Sequence, residues 1–478
     1  MTSELLSAHS ARGRWVLAAT VLGSALASLD ATVVNIALPA IGHDLGGGVA
    51  DLQWVVDGYA LTLAAFVLIA GALGDRYGRK RVFLVGVVWF MLASVACGLA
   101  PTATLLTIAR VLQGVGAALL SPGSLAILEA SFQKEDRAAV IGAWSGLGGV
   151  ALALGPFVGG YLVGAGSWRL VFFINVPVAF ATIWMLVRFV PETRDPKAPA
   201  RIDVAGAALA ALGLGGITYA LIESSTASRG VLIALAGAGV AALVGCYVVE
   251  RLGSAPMVDL ALFHDRQFTA ANVATVLTYA GLGGALFFLP IRLQHGLGYS
   301  PIVAGAALLP ATIMMLLFSS IVGRLSERFG PRVFMTIGPL LIAGGFLLLR
   351  FVSTSFVSTL PGGLLFGCGL ALNVAPLTAT VLAAAPAEKA GVASAISYCV
   401  ARTGGLFAVA ILPTLASMGG LGPAFGAETY ERGMTIAAAL AAAGSVLALV
   451  GIRNPARAVG VPSGPQCPID APPLSRRT

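Results

Sequence analysis

Gly71-Ala72-Leu73-Gly74-Asp75-Arg76-Tyr77-Gly78-Arg79-Lys80-Arg81 decides how this chain folds. Its pattern returns as Gly323-Arg324-Leu325-Ser326-Glu327-Arg328-Phe329-Gly330-Pro331-Arg332. Each copy reads glycine, three residues, acid, arginine, aromatic, glycine and then a basic residue. Each follows an apolar run long enough to cross a bilayer. The copies stand 252 residues apart, which at roughly 30 residues per helix and loop is about eight helices. Transporters built from two six-helix halves place equivalent loops six helices apart. Two further helices must therefore lie between the halves.

The rest of the chain agrees. Of its 478 residues, 58% are hydrophobic and only 10% charged, and its mean hydropathy is +0.91. A soluble domain carries about 25% charged residues. Fourteen apolar runs fall at 15–40, 53–72, 82–100, 104–128, 138–163, 169–190, 203–222, 230–249, 268–290, 302–322, 333–351, 358–383, 391–416 and 435–452. The expected fold is an all-α polytopic membrane protein. A short N-terminal segment, 1–14, precedes a six-helix bundle, 15–190. A linker, 191–202, leads to two accessory helices, 203–250. A second linker, 251–267, leads to the other six-helix bundle, 268–452, and a disordered tail, 453–478. The first run continues unbroken past Ala25-Leu26-Ala27, so no cleaved leader is expected there.

Charge placement tests this count. With both termini in the cytoplasm, 22 of the 29 Lys and Arg lie on the cytoplasmic side, and only Arg169, Arg229, Arg292, Arg350 and Arg432 lie outside. That asymmetry is the positive-inside rule. The net charge of +8 is dealt out in short clusters rather than one patch, which argues against nucleic acid as a partner. Cys97, Cys246, Cys368, Cys399 and Cys467 show no paired spacing, so neither disulfides nor a metal site is expected. No phosphate-binding lysine loop is present, which argues against ATP hydrolysis.

Polar residues inside the runs carry the chemistry. Asp30 lies near the middle of the first run. A carboxylate there costs roughly 2.5–3.5 kcal/mol on insertion scales, and packing alone does not require it. It is the leading candidate for proton or substrate handling; the alternative is a permanently protonated acid bonded to a neighbouring helix. Arg110, inside the fourth run, needs an acid or backbone carbonyls as partners. Asp57 sits near the outer end of the second run, there either to attract cationic substrates or simply to meet interfacial water. Glu223 ends the seventh run at the outer surface. Asn35, Gln113, Asn175 and Asn373 either line a cavity or bond adjacent helices. Tyr398 and Arg402 occupy the thirteenth run, which holds no acid.

The loop Gly71–Arg81 resembles the cytoplasmic signature loop of the major facilitator superfamily. Gly71 and Gly78 permit a tight turn. Asp75 is placed to accept hydrogen bonds from a helix N-terminus in the other half, and Arg76, Arg79, Lys80 and Arg81 meet the anionic leaflet. The resemblance implies a gate latch that breaks and re-forms. In the fifth run, Gly148-Gly149 through Gly155-Pro156-Phe157-Val158-Gly159-Gly160 is similar to an antiporter motif, implying a hinge. Pro156 removes one backbone hydrogen bond and bends the helix. Arg110-Val111-Leu112-Gln113-Gly114 resembles the family's intramembrane arginine motif, which implies that Arg110 tunes a nearby carboxylate. Leu29–Pro39, Trp168–Pro177 and Gly391–Gly405 resemble the fourteen-span drug:proton antiporter family. The likeness covers nearly all of 15–452.

It implies a secondary transporter rather than an enzyme. The expected activity is proton-coupled export of small amphipathic drugs or antibiotics, cationic or neutral, by alternating access across the cytoplasmic membrane. The alternative is export of an endogenous metabolite by the same mechanism. The expected partners are a small-molecule substrate, protons and the bilayer, with the chain acting as a monomer. The energy source is the proton gradient, with no cofactor and no metal. Because the charge asymmetry requires an even number of crossings, reporter fusions after residue 10 and after residue 454 should report the same, cytoplasmic, side. Opposite sides would remove the fourteen-span arrangement.

Overall fold

A computed structural model describes residues 5–194, 203–253, 258–386, 389–417 and 426–454. Most of the first linker and nearly all of the tail, with Cys467, lie outside the described residues. The helices are α1 (Ala11–Leu45), α2 (Val49–Tyr77), α3 (Arg79–Leu99), α4 (Ala103–Ser131), α5 (Lys134–Gly164) and α6 (Leu170–Phe189). Two more, α7 (Val204–Ile222) and α8 (Arg229–Leu252), form a hairpin. Then come α9 (Arg266–Ile291), α10 (Pro301–Ala306 continued by Leu309–Phe329), α11 (Pro331–Leu349), α12 (Leu360–Ala383), α13 (Ala390–Ser417) and α14 (Ala427–Gly451). Among the described residues, thirteen helical segments are long and apolar enough to cross a membrane. The 31-residue α5 is the expected fifth run. The protein is an all-α, multi-pass membrane protein.

Local sequence explains the helix limits. Ser10 caps α1, its hydroxyl accepting from the Gly13 amide at 3.0 Å, and Gly46 ends it at φ 65°. Thr102 caps α4 in the same way. α6 breaks at Ile174, where Pro177 cannot donate to the Phe173 carbonyl one turn back. Pro310 explains the break in α10 between Ala306 and Leu309 likewise.

Helices α1–α6 pack among themselves, as do α9–α14. The halves meet chiefly through α2 on α13 and α5 on α10. In the repeat, α10 corresponds to α2 and α13 to α5, so the two crossings are one pairing with the halves exchanged. The α7–α8 hairpin lies over the first crossing only: α7 touches both α2 and α13. Trp54 Nε1 donates to Glu223 at 3.1 Å, and the Ser224 and Thr414 hydroxyls are 3.4 Å apart.

The even-numbered turns gather at one end, here the loop end. There the Leu6 amide donates to Ser131 O (2.8 Å), Arg12 to Phe189 O (2.9 Å) and the Arg332 amide to Asn454 (3.1 Å). Lys389 pairs with Asp259 beside α9 and holds that carboxyl below the usual carboxylate range.

The opposite, far end is sealed. Gln53 Nε2 donates to Val409 O (2.7 Å) and Ala410 O (3.0 Å), and Gln294 Nε2 to Ile36 O (2.9 Å). Gly160 lies directly against the Pro301 carbonyl and Gly305 against that of Pro156, so close that a Cβ would overlap backbone. Toward the loop end α5 and α10 part. No described residue of 141–151 or of 313–321 is buried, and a Cβ at Gly142, Gly146 or Gly148 would meet nothing within 4 Å. The halves thus enclose a cleft open at the loop end.

Two matched substitutions follow. Gly160→Leu should drive α5 off α10 and cost about 1–3 kcal/mol, as overpacking does. Gly142→Leu should cost almost nothing. Thermal melts of detergent-solubilised protein compare them directly, and equal melting would mean that the far end is not close-packed.

Candidate functional site

Asp30 is fully buried halfway along α1. Its carboxylate forms an ion pair with Arg110 Nη1, and the Arg110 side chain is only 2% exposed. The other carboxylate oxygen accepts from Gln113 Nε2 at 2.9 Å and Asn175 Nδ2 at 3.1 Å. Ser94 Oγ accepts from both of the same amides, at 2.8 and 3.3 Å. Arg110 also donates from Nε to Val55 O (3.0 Å) and from Nη1 to Gln113 Oε1 (2.6 Å). Its guanidinium lies over the Tyr59 ring at 4.3 Å, and the Tyr59 hydroxyl donates to Ala27 O at 3.0 Å. Five helices of one half, α1, α2, α3, α4 and α6, therefore converge on a single carboxylate.

Spacing on α4 makes this possible. Arg110 and Gln113 are three residues apart and share one helix face. Gly114 lets α2 approach so closely that a Cβ would strike Thr62 and the Tyr59 carbonyl. A buried ion pair is stable only when its remaining polar atoms are also bonded, and Gln113, Asn175 and Ser94 meet that condition.

The other candidates are distributed around this centre. Asn35 lies one turn beyond Asp30, its amide 3.5 Å from Ala31 O. Asn373 is buried in the second half, packed on Gly338 of α11. Tyr398 and Arg402 lie on α13 between the halves, joined by a 2.9 Å hydrogen bond. Asp57 is fully buried, and neither of its carboxylate oxygens has a hydrogen-bond partner among the described residues. It is therefore not wetted at an interface. Gly155 and Gly159 pack along α1, with Gly159 against Val33 O, while Gly160 and the Pro156 carbonyl make the far-end contact on α10. The side chain of Glu327 and whatever faces Gly149 lie outside the described residues.

The first repeat loop closes on its own half. Gly78 takes φ 114°. Asp75 pairs with Arg79 at 2.8 Å, and Arg79 donates to Ala126 O (3.1 Å) and, from its amide, to Thr193 O (2.9 Å). The Lys80 amide donates to Glu192 at 3.1 Å. Arg76 lies over the neighbouring Tyr77 ring, 5.3 Å from its centroid, and Gly71 faces Pro122 of α4. Among the described residues Asp75 meets Arg79 of its own half and no helix of the other half.

Sequence reasoning passed over Ser94, Tyr59 and Gln53. Ser94 is a single small hydroxyl in an apolar run, a residue that equally often bonds its own helix backbone. Gln53 and Gln294 are exceptions in kind: an amide at a helix end opposite exposed carbonyls is a detectable signal.

A bundle of fourteen helices among the described residues, thirteen of them long and apolar enough to cross a membrane, in two repeated halves with a sealed end and a cleft, is the architecture of a polytopic membrane transporter. The sequence pattern of the Major Facilitator Superfamily matches residues 20–410 and, overlapping it, 271–466. The chain belongs to that superfamily. It is 37% identical over 404 residues to the multidrug resistance protein Stp of Mycobacterium tuberculosis, covering 83% of this chain and 74% of that one. It is likewise 37% identical to the tetracenomycin C resistance and export protein of Streptomyces glaucescens, over 85% and 77% of the two chains. The multidrug efflux pump LfrA of Mycolicibacterium smegmatis is 33% identical over 84% of this chain and 80% of its own. Among solved structures, a bacterial homologue of the human lysosomal transporter Spinster, inward-facing and unoccupied, superposes with a TM-score of 0.66. It covers 94% of this chain and all of that one at 18% identity. A POT-family transporter in complex with a thioalcohol-conjugated peptide gives 0.69 over 92% and 96% at 13% identity.

Because the ion pair is enclosed, Asp30→Asn or Arg110→Gln alone should each destabilise by about 3–5 kcal/mol, by stranding a buried charge or its partners. The double substitution should cost less than the sum of the two. Melting of the four proteins in detergent measures this, and strictly additive losses would show that the pair is not energetically coupled.

Proposed function

We propose that this protein is a proton-coupled antiporter that exports small amphipathic compounds from the cytoplasm by alternating access. The observation that carries the reading is the Asp30–Arg110 pair, buried at mid-helix and bonded to Gln113 and Asn175. The drug- and antibiotic-export relatives support the direction of transport. The basic residues clustered at the loop end support a cytoplasmic location for both termini and hence for the open mouth of the cleft.

The chemistry is a charge switch. With Asp30 ionised, α1 is tied to α4 by the ion pair and to α6 through Asn175. A proton on Asp30 cancels the ion pair and leaves Arg110 with Val55 O, Gln113 and the Tyr59 ring. That changes the interaction between α1 and α4. α1 also carries the carbonyl of Ile36, bonded to Gln294 of the other half at the far end. Protonation at Asp30 is thus mechanically connected to the seal.

In proteoliposomes with a pH gradient as the sole energy source, Asp30→Asn should abolish gradient-driven dye export while binding persists. Asp30→Glu should retain part of the activity, and Asp57→Asn should be milder than Asp30→Asn. Normal gradient-driven export by Asp30→Asn would make Asp30 structural.

A further inference from the structure

Arg110 and Arg402 both lie well inside membrane-length helices, and they are in opposite electrostatic situations. Arg110 is neutralised by Asp30 and has hydrogen-bond acceptors on both sides. Arg402 forms no ion pair among the described residues. Its one hydrogen bond there joins Nη2 to the Tyr398 hydroxyl at 2.9 Å, and its guanidinium lies 4.9 Å from the centre of the same ring. A guanidinium offers five N–H donors in a flat fork. Most of that fork faces no protein acceptor.

Arg402 lies at the meeting of the two halves. The Tyr398 hydroxyl receives a 3.4 Å hydrogen bond from Ser121 of α4, in the first half. One position along, Cys399 donates to Ala64 O of α2 at 3.2 Å. The Tyr398 ring thus lies against one unmatched cation where the two halves meet. Arg402 and Tyr398 are both partly exposed, at the depth where the cleft meets the seal.

The acid that suggested cationic substrates does not answer this charge. Asp57 shares a helix face with Gln53 and Ala64, which turn onto α13. It is fully buried there, with no bond to Arg402. A partly buried cation with free donors calls for an anionic partner. The Tyr398 ring beside it favours a flat ring system, by stacking and edge contacts.

Taking the export reading as given, we infer that Arg402 and Tyr398 form an anion-accepting aromatic site. The preferred substrates are planar aromatic compounds carrying a carboxylate or an ionised phenol. The guanidinium fork binds the acidic group, Tyr398 holds the fork in place, and its ring contacts the aromatic body. Organic cations of the same shape meet an uncompensated positive charge and bind less well.

Two xanthene dyes test this: fluorescein, anionic at pH 7.5, and rhodamine 6G, a cation on the same three-ring frame. Fluorescence anisotropy with the full chain in uncharged detergent, free of anionic lipid, should show fluorescein binding at least about tenfold more tightly. Arg402→Gln should remove that preference, with rhodamine 6G unchanged or improved. Arg402→Lys, which keeps the charge but not the fork, should retain the preference for the anion at reduced affinity. Tyr398→Phe, which keeps the charge and the ring, should weaken fluorescein several-fold. Equal or tighter binding of rhodamine 6G to the unaltered chain overturns the proposal. So does binding of neither dye, or fluorescein affinity that Arg402→Gln and Arg402→Lys both leave unchanged. The export reading fails separately, if fluorescein binds as expected yet no gradient moves it across proteoliposomes.

Discussion

The ion pair between Asp30 and Arg110 is the constraint around which the first half is built. A carboxylate and a guanidinium removed from water must satisfy each other and every leftover donor and acceptor. Here that requirement recruits Gln113, Asn175, Ser94 and the Val55 carbonyl from four further positions. Glycine at 114 brings α2 close enough for Tyr59 to cover the guanidinium. Packing in this half is therefore a consequence of electrostatics. A purely apolar substitute would pack as well, but would have no second state to switch into.

The two halves make contact by one rule used twice. Helix α2 meets α13, and its repeat counterpart α10 meets α5. Both contacts are close at the far end and loosen toward the loop end. At the α5–α10 crossing, Gly160 and Gly305 put backbone against backbone; at the α2–α13 crossing, Gln53 bonds bare carbonyls. Backbone contacts of this kind involve little side-chain rearrangement. They can be opened and re-formed as surfaces, which suits a seal better than interlocked side chains would.

Much of this was legible before any coordinates. The Gly71–Arg81 and Gly323–Arg332 repeat, with its offset of eight helices, already required two extra helices between equivalent halves. The placement of Arg and Lys required an even count. Asp30 and Arg110 stood out because charge inside an apolar run is costly. Their direct partnership was less legible, since 80 residues separate them and several other polar residues offered themselves as partners. Asp57 shows the limit most clearly. Sequence placed it near the end of a run, where water is close, but α13 and its neighbours cover that face of α2 completely. Only tertiary packing distinguishes a wetted acid from an enclosed one. Arg402 was visible as an oddity in a run without acids, while the contact of its partner Tyr398 with Ser121 joins helices 277 residues apart in sequence.

The α7–α8 hairpin has a meaning in time as well as in space. Membrane chains are made and inserted from the N-terminus, and domains generally fold as units in that order. The contact between Trp54 and Glu223 spans 169 residues and needs only the first seven helices. The contact between Ser224 and Thr414 waits for α13. A hairpin packed against α2 before the second half emerges would stand beside the site where α13 must arrive. The newcomer docks into a corner with two finished walls rather than onto one bare helix. At the other crossing, α10 meets α5 without the hairpin, through the Gly160 and Gly305 backbone contacts and beside the Gln294 bond to Ile36 O. The accessory helices thus make assembly of a nearly twofold-symmetric molecule directional.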